Sequence, residues 1–264
     1  MTNLYFVPTP IGNFSDMMFR GVEILNNSDE IYCNNIEKTN ELLIHFNVKK
    51  EVYCYKDNVN EVIDKLNKGK VIAILNDESY SGIDEDSTKI KEYAIKNNIN
   101  IEVVPGANYL LTGLVTSGIP CDKFLYYGCL DKTRRKEELN SIIDFDRTIV
   151  FYETYVTIYD TLKDLYNAFG KRTAVLCLNL TLDNESFIHF TLGDDIIVPE
   201  TNKTIVLVVE GAKIDTKTKS LNEMSINEHY DYYLKQGMDS KEAMKKVAKD
   251  RGVSKSDIYK VVIK

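Results

Sequence analysis

The sequence lacks the segments that carry a chain into or across a membrane. No apolar run approaches the roughly 18 residues of a membrane helix. Residues 1–14 have no basic stretch and place a proline inside a short apolar segment, which is not typical of a secretory signal peptide. The 264 residues, 44% hydrophobic and 28% charged, suit a globular chain of one large or two smaller domains. We therefore expect a cytoplasmic protein.

Cysteine and histidine are also scarce. The chain has five cysteines and three histidines, and it contains no CxxC pair. The sequence favours reduced, mostly buried thiols over a disulfide framework or a zinc site, so we expect no metal.

Charge is unevenly distributed along the chain. The net charge is −7, but residues 235–264 hold nine Lys or Arg against four Asp or Glu, a net of +5, which leaves −12 for the rest. A basic segment on an acidic chain indicates a polyanion partner for that segment. The alternative is a solvated helical face with no ligand.

Short apolar runs alternate with segments of helical spacing. This alternation predicts an α/β fold with largely parallel sheets. The predicted helices include Met18–Leu25, Asp57–Lys68 and Tyr155–Phe169. The predicted strands are Leu4–Val7, Val71–Leu75, Ile99–Val104, Phe124–Tyr127, Thr148–Tyr152, Thr173–Cys177 and Ile205–Val209.

Two breaks divide the chain. Ser117–Asp122 is rich in turn residues, and Lys213–Ser220 is a polar run. They predict α/β domains at residues 1–114 and 115–212, with a ligand cleft between them, and a helical tail at 220–264. Within the tail, a helix over Ser240–Asp250, a turn at Gly252 and a last helix from about residue 254 form a helix-turn-helix-like unit.

Eight segments, in order over nearly the whole chain, resemble one family. They are similar to segments of the ribosomal RNA small subunit methyltransferase I family, within the tetrapyrrole methylase superfamily. The segments are Leu4–Asn13, Val104–Asn108, Thr116–Pro120, Arg147–Glu153, Val206–Gly211, Ser240–Ala248, Gly252–Lys255 and Asp257–Lys260.

The resemblance implies a two-domain fold with S-adenosylmethionine in the cleft, a homodimer, and 2′-O-methylation of a cytidine in small-subunit rRNA. The proline-rich turn after the first strand lies where α/β proteins bind ligands, and a glycine can bring backbone close to a cofactor. The cofactor-binding residues implied are Pro10, Gly12, Asp77, Pro105, Gly106, Asn108 and Tyr152.

Several polar site positions depart from the family pattern. Asn34–Thr39 stands where the family carries acidic-acidic-Thr-Arg-x-Thr, and Asn76–Ser81 replaces Ser-Asp-Ala-Gly-Thr-Pro. Glu153–Thr157 lacks the usual His and Arg. Because Glu78, Ser79 and Tyr80 replace small loop residues, we expect cofactor binding to be weak or absent. No residue stands out as the catalytic base, although Glu153 and Asp77 are candidates.

Two other functions stay open at this point. The first is a non-catalytic protein that binds RNA or a nucleotide on the same fold, and the second is methylation of a small molecule. The basic tail argues against the second, because such a substrate needs no polyanion-binding unit. Seven tail cations are expected to contact RNA phosphates: Lys241, Lys245, Lys246, Lys249, Arg251, Lys255 and Lys260.

Overall fold

The computed structural model of the chain describes residues 3–56, 58–76, 83–213 and 221–262. By their internal contacts the residues divide into a main unit, residues 1–143 and 147–210, and a tail unit, residues 144–146 and 211–264. Within the described ranges, no helix has both the length and the apolarity needed to cross a bilayer.

The first sheet of the main unit is entirely parallel. Its strand order is β3-β2-β4-β1-β5, so β1 lies between β4 and β5. Phe6 on β1 is in register with Ile74 on β4 and with Val103 on β5. The strands are β1 Leu4–Pro8, β2 Glu30–Cys33, β3 Val52–Cys54, β4 Ile72–Asn76 and β5 Ile101–Val103.

Helices connect these strands, and the sheet is buried on both faces. Val7 and Leu75 belong to one apolar cluster, whereas Phe6 and Ile74 belong to another, because successive strand residues point to opposite faces. Two covered faces explain why these strands read as continuous apolar runs. The helices are α1 Phe19–Asn27, α2 Ile36–His45, α3 Val59–Asn67, α4 Glu85–Lys96 and α5 Tyr109–Thr116.

The second sheet has the order β6-β7-β10-β8-β9 and is mainly antiparallel. Only β6 and β7 pair in parallel, across the helix α6; the β7–β10, β10–β8 and β8–β9 pairs are antiparallel. The expectation of largely parallel sheets is therefore wrong for this half. Its elements are β6 Phe124–Gly128, α6 Arg135–Ser141, β7 Thr148–Glu153, α7 Ile158–Phe169, β8 Thr173–Leu178, β9 Ser186–Thr191 and β10 Ile205–Val209.

The connections account for this pairing. A parallel pair needs a crossover of a dozen or more residues, but only residues 179–185 separate β8 from β9. Asn179 and Thr181, both at positive φ, turn the chain there. The strand β9 was not anticipated because it is half exposed and lacks a continuous apolar run.

Helix α5 packs closely on the second sheet. A Cβ on Gly113 would come within 2.7 Å of a methyl carbon of Val206 on β10. Tyr109 and Leu114 share an apolar cluster with Val150 and Val206. The boundary predicted at residue 114 falls inside this helix, and the division into domains 1–114, 115–212 and 220–264 stays a prediction.

The described part of the tail unit includes the helices α8 Ile226–Lys235, α9 Ser240–Asp250 and α10 Lys255–Val262. Ser225 and Glu228 form a capping box at the start of α8, and Asp239 caps α9 through the Glu242 amide. Gly252, at φ 63°, ends α9. The buried core of the tail is Leu221, Tyr233, Ala243, Met244, Val247, Ala248 and Ile258.

Candidate active-site cleft

The carboxyl ends of β2 and β4 in the first sheet, and of β7 in the second, open on one cleft of the main unit. Its volume of about 520 Å³ falls within the range of small-molecule sites. Because α/β proteins bind ligands beyond the carboxyl ends of their strands, this is the candidate active site. Its lining is Asn34, Lys56, Asn76, Ile83, Asp84, Tyr126, Cys129, Leu130, Lys132, Arg135, Tyr152, Glu153, Thr154, Thr157 and Thr204.

A pair of amide side chains joins two strand ends. Asn34 follows β2, and its Nδ2 donates to Oδ1 of Asn76, the last residue of β4, at 2.7 Å. The Thr9 hydroxyl, just after β1, donates to the Asn76 carbonyl at 2.9 Å. Asn34 and Asn76 stand where the family carries an acidic residue and a serine, and here they tie three strand ends together.

Asp84 is the centre of the polar network in the first sheet. Its carboxylate accepts hydrogen bonds from the Tyr55 hydroxyl at 3.0 Å, from Asn76 Nδ2 at 3.2 Å and from the Ser87 hydroxyl at 2.6 Å. It also caps α4 by accepting from the Ser87 amide at 2.9 Å.

These hydrogen bonds set the charge of Asp84. Burial acts to raise the pKa of the carboxyl, but the bonds from Ser87, Tyr55 and Asn76 outweigh burial and hold that pKa below its usual value. Asp84 is therefore a fixed carboxylate at neutral pH.

The end of β7 supplies a second carboxylate. Glu153 is buried, and its two oxygens accept hydrogen bonds at 2.5 Å from the hydroxyls of Thr157 and Thr161. Next to it, Tyr152 packs its ring edge-on against Tyr126, with the ring centroids 5.2 Å apart. Burial raises the pKa of both tyrosines, so both remain phenols at neutral pH.

Two glycines implied in cofactor binding are explained by packing. A Cβ on Gly106 would lie 2.4 Å from the Pro8 Cγ, and one on Gly12 would lie 2.6 Å from the Leu180 carbonyl oxygen. The space that each missing side chain leaves is thus filled by the protein, so these glycines allow close approach between chain segments. A cofactor contact at either glycine stays a prediction.

The other residues implied by the resemblance lie in several places. Tyr152 lines the 520 Å³ cleft, whereas Pro10 and Gly12 line a smaller cavity of about 220 Å³ that also includes Thr9. Pro105 is exposed, and Asn108 caps α5 by accepting from the Leu111 amide at 3.0 Å. Asp77 and residues 78–81, on which the expectation of weak cofactor binding rests, lie outside the described residues.

The structure adds three cations that the sequence analysis did not single out. Lys56 follows β3, Lys132 lies between β6 and α6, and Arg135 begins α6, yet all three line the cleft. The one local signal was the run Lys132–Lys136, which holds four basic residues directly after a strand end.

The tail cations differ in their surroundings. Arg251 donates from Nε to His229 Nδ1 at 3.1 Å and from its guanidinium to the carbonyls of Leu221 and Met224, so it is used inside the tail. Lys246 donates to Asp250 at 3.0 Å. The exposed cations are Lys241, Lys245, Lys249, Lys255 and Lys260.

Comparisons with known proteins define the class of this fold. A family model described as Tetrapyrrole (Corrin/Porphyrin) Methylases matches residues 3–194. The solved structure of the methyltransferase CobJ is similar over 80% of this chain and 95% of its own, with a TM-score of 0.61 and 12% identity. Diphthine synthase is similar over 81% and 91%, with a TM-score of 0.58 and 18% identity. The main unit is a tetrapyrrole methylase fold.

Relatives with higher sequence identity identify the family within this class. Ribosomal RNA small subunit methyltransferase I of Halalkalibacterium halodurans is 34% identical over 98% of this chain and 93% of its own length. The Bacillus subtilis protein of the same name is 31% identical over 97% and 92%. This chain belongs to the ribosomal RNA small subunit methyltransferase I family, which confirms the resemblance found in the sequence.

Proposed function

We propose that this chain transfers a methyl group from S-adenosylmethionine to the 2′-hydroxyl of a cytidine in small-subunit rRNA. The observation that carries the proposal is a 520 Å³ cleft at the strand ends of a chain that matches rRNA methyltransferases over nearly its full length. No feature of the described residues favours a non-catalytic protein. The tetrapyrrole methyltransferases of this fold share too little sequence to support a small-molecule substrate.

The described residues fit the cofactor. The amides of Asn34 and Asn76 line the cleft with hydrogen-bonding groups of the kind that bind a nucleoside, and Tyr152 adds an aromatic wall. S-adenosylmethionine supplies, when bound, an electrophilic methyl group on a positively charged sulfur. The Asp84 carboxylate provides a negative charge in the cleft wall for the positively charged groups of the cofactor.

Holding the reactants in line is the main task in such a transfer, and a base for the hydroxyl proton adds to it. We assign that base to Glu153, because it is the carboxylate at the end of β7 in the cleft wall. Thr157 and Thr161 fix its orientation. Oε2 accepts from the Thr157 hydroxyl and the Thr154 amide, whereas Oε1 accepts from Thr161 and keeps a further lone-pair site for the ribose hydroxyl.

The exposed tail cations support general RNA binding. Lys241, Lys245 and Lys249 are spaced by four residues, so they lie on one face of α9, opposite the buried Ala243 and Val247. Ammonium groups pair with phosphates without reading sequence, so their contribution should depend strongly on salt. The internal contacts of Arg251 and Lys246 give both residues a structural role, and they add less to RNA binding in this proposal.

We further propose a cytoplasmic homodimer. Exposed apolar side chains occur at the start of α1, on the edge strand β5 and on α5, and the Arg20–Glu102 ion pair joins α1 to β5. Phe19 is 92% exposed, and Val103, Leu111 and Val115 are exposed as well. Phe19→Asp with Leu111→Asp should convert the dimer to a monomer in analytical ultracentrifugation. If the wild-type chain sediments as a monomer, the proposed homodimer is ruled out.

The test of the activity is transfer of a labelled methyl group to small ribosomal subunits that lack the modification. We expect label in the rRNA, at a cytidine whose 3′-phosphodiester resists alkali because its 2′-oxygen is methylated. Label in ribosomal protein, or on a base, would contradict the proposal. Large subunits serve as the control substrate and should stay unlabelled.

A further inference from the structure

We propose that Lys56, Lys132 and Arg135 form a phosphate-binding cluster in the cleft, which holds a single-stranded rRNA segment next to the target nucleotide. The inference rests on the proposed function, because it takes RNA to be the methyl acceptor. It adds a second RNA contact to the one proposed for the tail. The three residues come from three separate elements, and all line the same 520 Å³ cleft.

Arg135 is the fixed member of the cluster. Its guanidinium donates to Asp164 at 3.0 Å, and its side chain is only 11% exposed. Its Nε is buried and has no hydrogen-bond partner among the described residues. A buried donor without an acceptor costs about 1–3 kcal/mol. An anion bound in the cleft adds a negative charge near this guanidinium, whose own charge is delocalised over its nitrogens.

Lys56 and Lys132 are the exposed charges of the cluster. Both are exposed, and neither forms an ion pair with a carboxylate of the described residues. The carboxylates in the cleft wall are already engaged, since Asp84 accepts from Tyr55, Asn76 and Ser87. Glu153 likewise accepts from two threonines. The cleft therefore offers exposed ammonium groups to a ligand, whereas the oxygens of its carboxylates already accept hydrogen bonds from neighbouring side chains.

Three cations on three elements suit a ligand with repeated negative charge. A single cofactor molecule carries one carboxylate, whereas an RNA segment carries one phosphate per nucleotide. Tyr126 lines the same cleft, and proteins that bind single strands combine a positive groove with aromatic side chains. A paired RNA helix is too wide to enter a cleft of this volume, so single-stranded RNA is the matching form.

The experiment uses the full-length chain and a short single-stranded RNA. The test variant carries Lys56→Gln with Lys132→Gln. Its matched control carries Lys136→Gln with Lys163→Gln, which removes two exposed charges that do not line the cleft. RNA affinity is measured across a salt series, and cofactor affinity is measured separately by calorimetry.

We expect the test variant to bind RNA about tenfold more weakly at low salt. The slope of log affinity against log salt should fall by about 1.4, or 0.7 for each lost contact with a single strand. Its affinity for S-adenosylmethionine should equal that of the wild type, and the control should behave as the wild type in both assays.

Two results would overturn the inference. An unchanged RNA salt slope would mean that the cluster does not contact RNA. A weakened cofactor affinity with unchanged RNA binding would mean that these cations hold the cofactor carboxylate. If the wild type transfers no methyl group to rRNA, the proposed function fails, but the salt slope still decides the cluster, because binding needs no transfer.

Discussion

The cleft and the tail use charged side chains in opposite ways. In the cleft the carboxylates Asp84 and Glu153 are held by hydrogen bonds, and Lys56 and Lys132 are left for a ligand. In the tail, Asp250 is the anchored carboxylate, held by Tyr233 and by Lys246 at 3.0 Å. The remaining tail lysines are spread over exposed faces. The cleft thus concentrates charge around one site, whereas the tail distributes it.

This difference shows why net charge alone is a poor guide to ligand binding here. The chain outside residues 235–264 carries a net charge of −12, yet its cleft contains three cations. A repulsive overall field and a local cationic site coexist because charge interactions are screened within about 10 Å at ordinary ionic strength. The acidic part of the chain is therefore able to take part in RNA binding.

The largest expected effect is in the Asp84 network. Asp84→Ala removes the cap of α4, worth about 1 kcal/mol, takes away the carboxylate acceptor of the Tyr55 hydroxyl at about 1 kcal/mol, and removes one hydrogen bond each from Asn76 and the Ser87 hydroxyl, together about 1 kcal/mol. We expect a loss of about 3 kcal/mol in the free energy of unfolding, measured with urea. Glu85→Ala, at a neighbouring position 86% exposed, is the control and should cost under 0.5 kcal/mol. If both variants lose the same free energy of unfolding, the Asp84 network does not stabilise the fold more than an exposed residue does.

The next effect is catalytic. Glu153→Gln keeps acceptor oxygen for one threonine but removes the base, so kcat should fall about 100-fold. RNA affinity and cofactor affinity should change little, because a positioned base acts on the transferred proton. Thr154→Ser, a change beside it in the same cleft wall, is the control. A kcat within a factor of two of the wild type would remove Glu153 from its assigned role.

The third effect concerns RNA binding by the exposed lysines of the tail, where removing several charges should weaken the affinity by a moderate factor. Lys241→Gln, Lys245→Gln and Lys249→Gln together should weaken RNA binding about tenfold, or about 1.4 kcal/mol. The salt slope should fall by about 2 for three lost contacts with a single strand. Lys68, Lys96 and Lys163, exposed in the main unit, give a control with the same change in net charge. If both triple variants lose affinity equally, overall charge rather than the α9 face is responsible.

The smallest expected effect is a pH dependence of the tail. Burial, together with the nearby Arg251 charge, lowers the pKa of His229 below its ordinary value of 6.5, although Asp250 opposes the shift. The unfolded tail therefore binds a proton at a higher pH than the folded tail does. Stability is complete above about pH 6.5 and declines as the pH falls below it.

Hydrogen exchange of the α9 amides, corrected for intrinsic rates, measures this decline between pH 7.5 and 5.5. His229→Gln should remove it, because glutamine has no proton to bind in this range and still offers an acceptor to Arg251. His189→Gln, at an exposed position, should keep the decline. If the hydrogen exchange of the wild-type chain shows no such decline in stability, the assignment of the pH dependence to His229 is contradicted.

The tail was the part most accurately predicted from the sequence. The helix Ser240–Asp250 and the turn at Gly252 are found as predicted, because caps, glycine turns and four-residue spacing are local signals. The buried positions Ala243, Val247, Ala248 and Ile258 follow from the same spacing. The internal contacts of Arg251 were missed, since they join residues about 22 to 30 positions apart.

The cleft was predicted less well, because its parts are distant in sequence. The hydrogen bond between Asn34 and Asn76 joins residues 42 positions apart, and Lys56 and Lys132 line the same cleft only because of the fold. The spacing of residues along the sequence does not indicate which distant residues come together in the fold. The same limit explains the antiparallel second sheet, where pairing depends on long-range register. Among the described residues that the resemblance implied for cofactor binding, Tyr152 alone lines the cleft, and the packing roles of Gly12 and Gly106 become visible only in the structure.

Calorimetry with S-adenosylmethionine on the wild-type chain and on an Asn76→Ala variant tests the central claim most directly, namely that this cleft holds the methyl donor. We predict weak but saturable binding of one cofactor per wild-type chain, because Glu78, Ser79 and Tyr80 replace small loop residues, and a markedly weaker affinity in the variant. At 100 times the dissociation constant, the bound cofactor should add about 2.7 kcal/mol to the stability of the wild type. Absence of saturable binding by a folded wild-type chain, or equal affinity in both proteins, would contradict it.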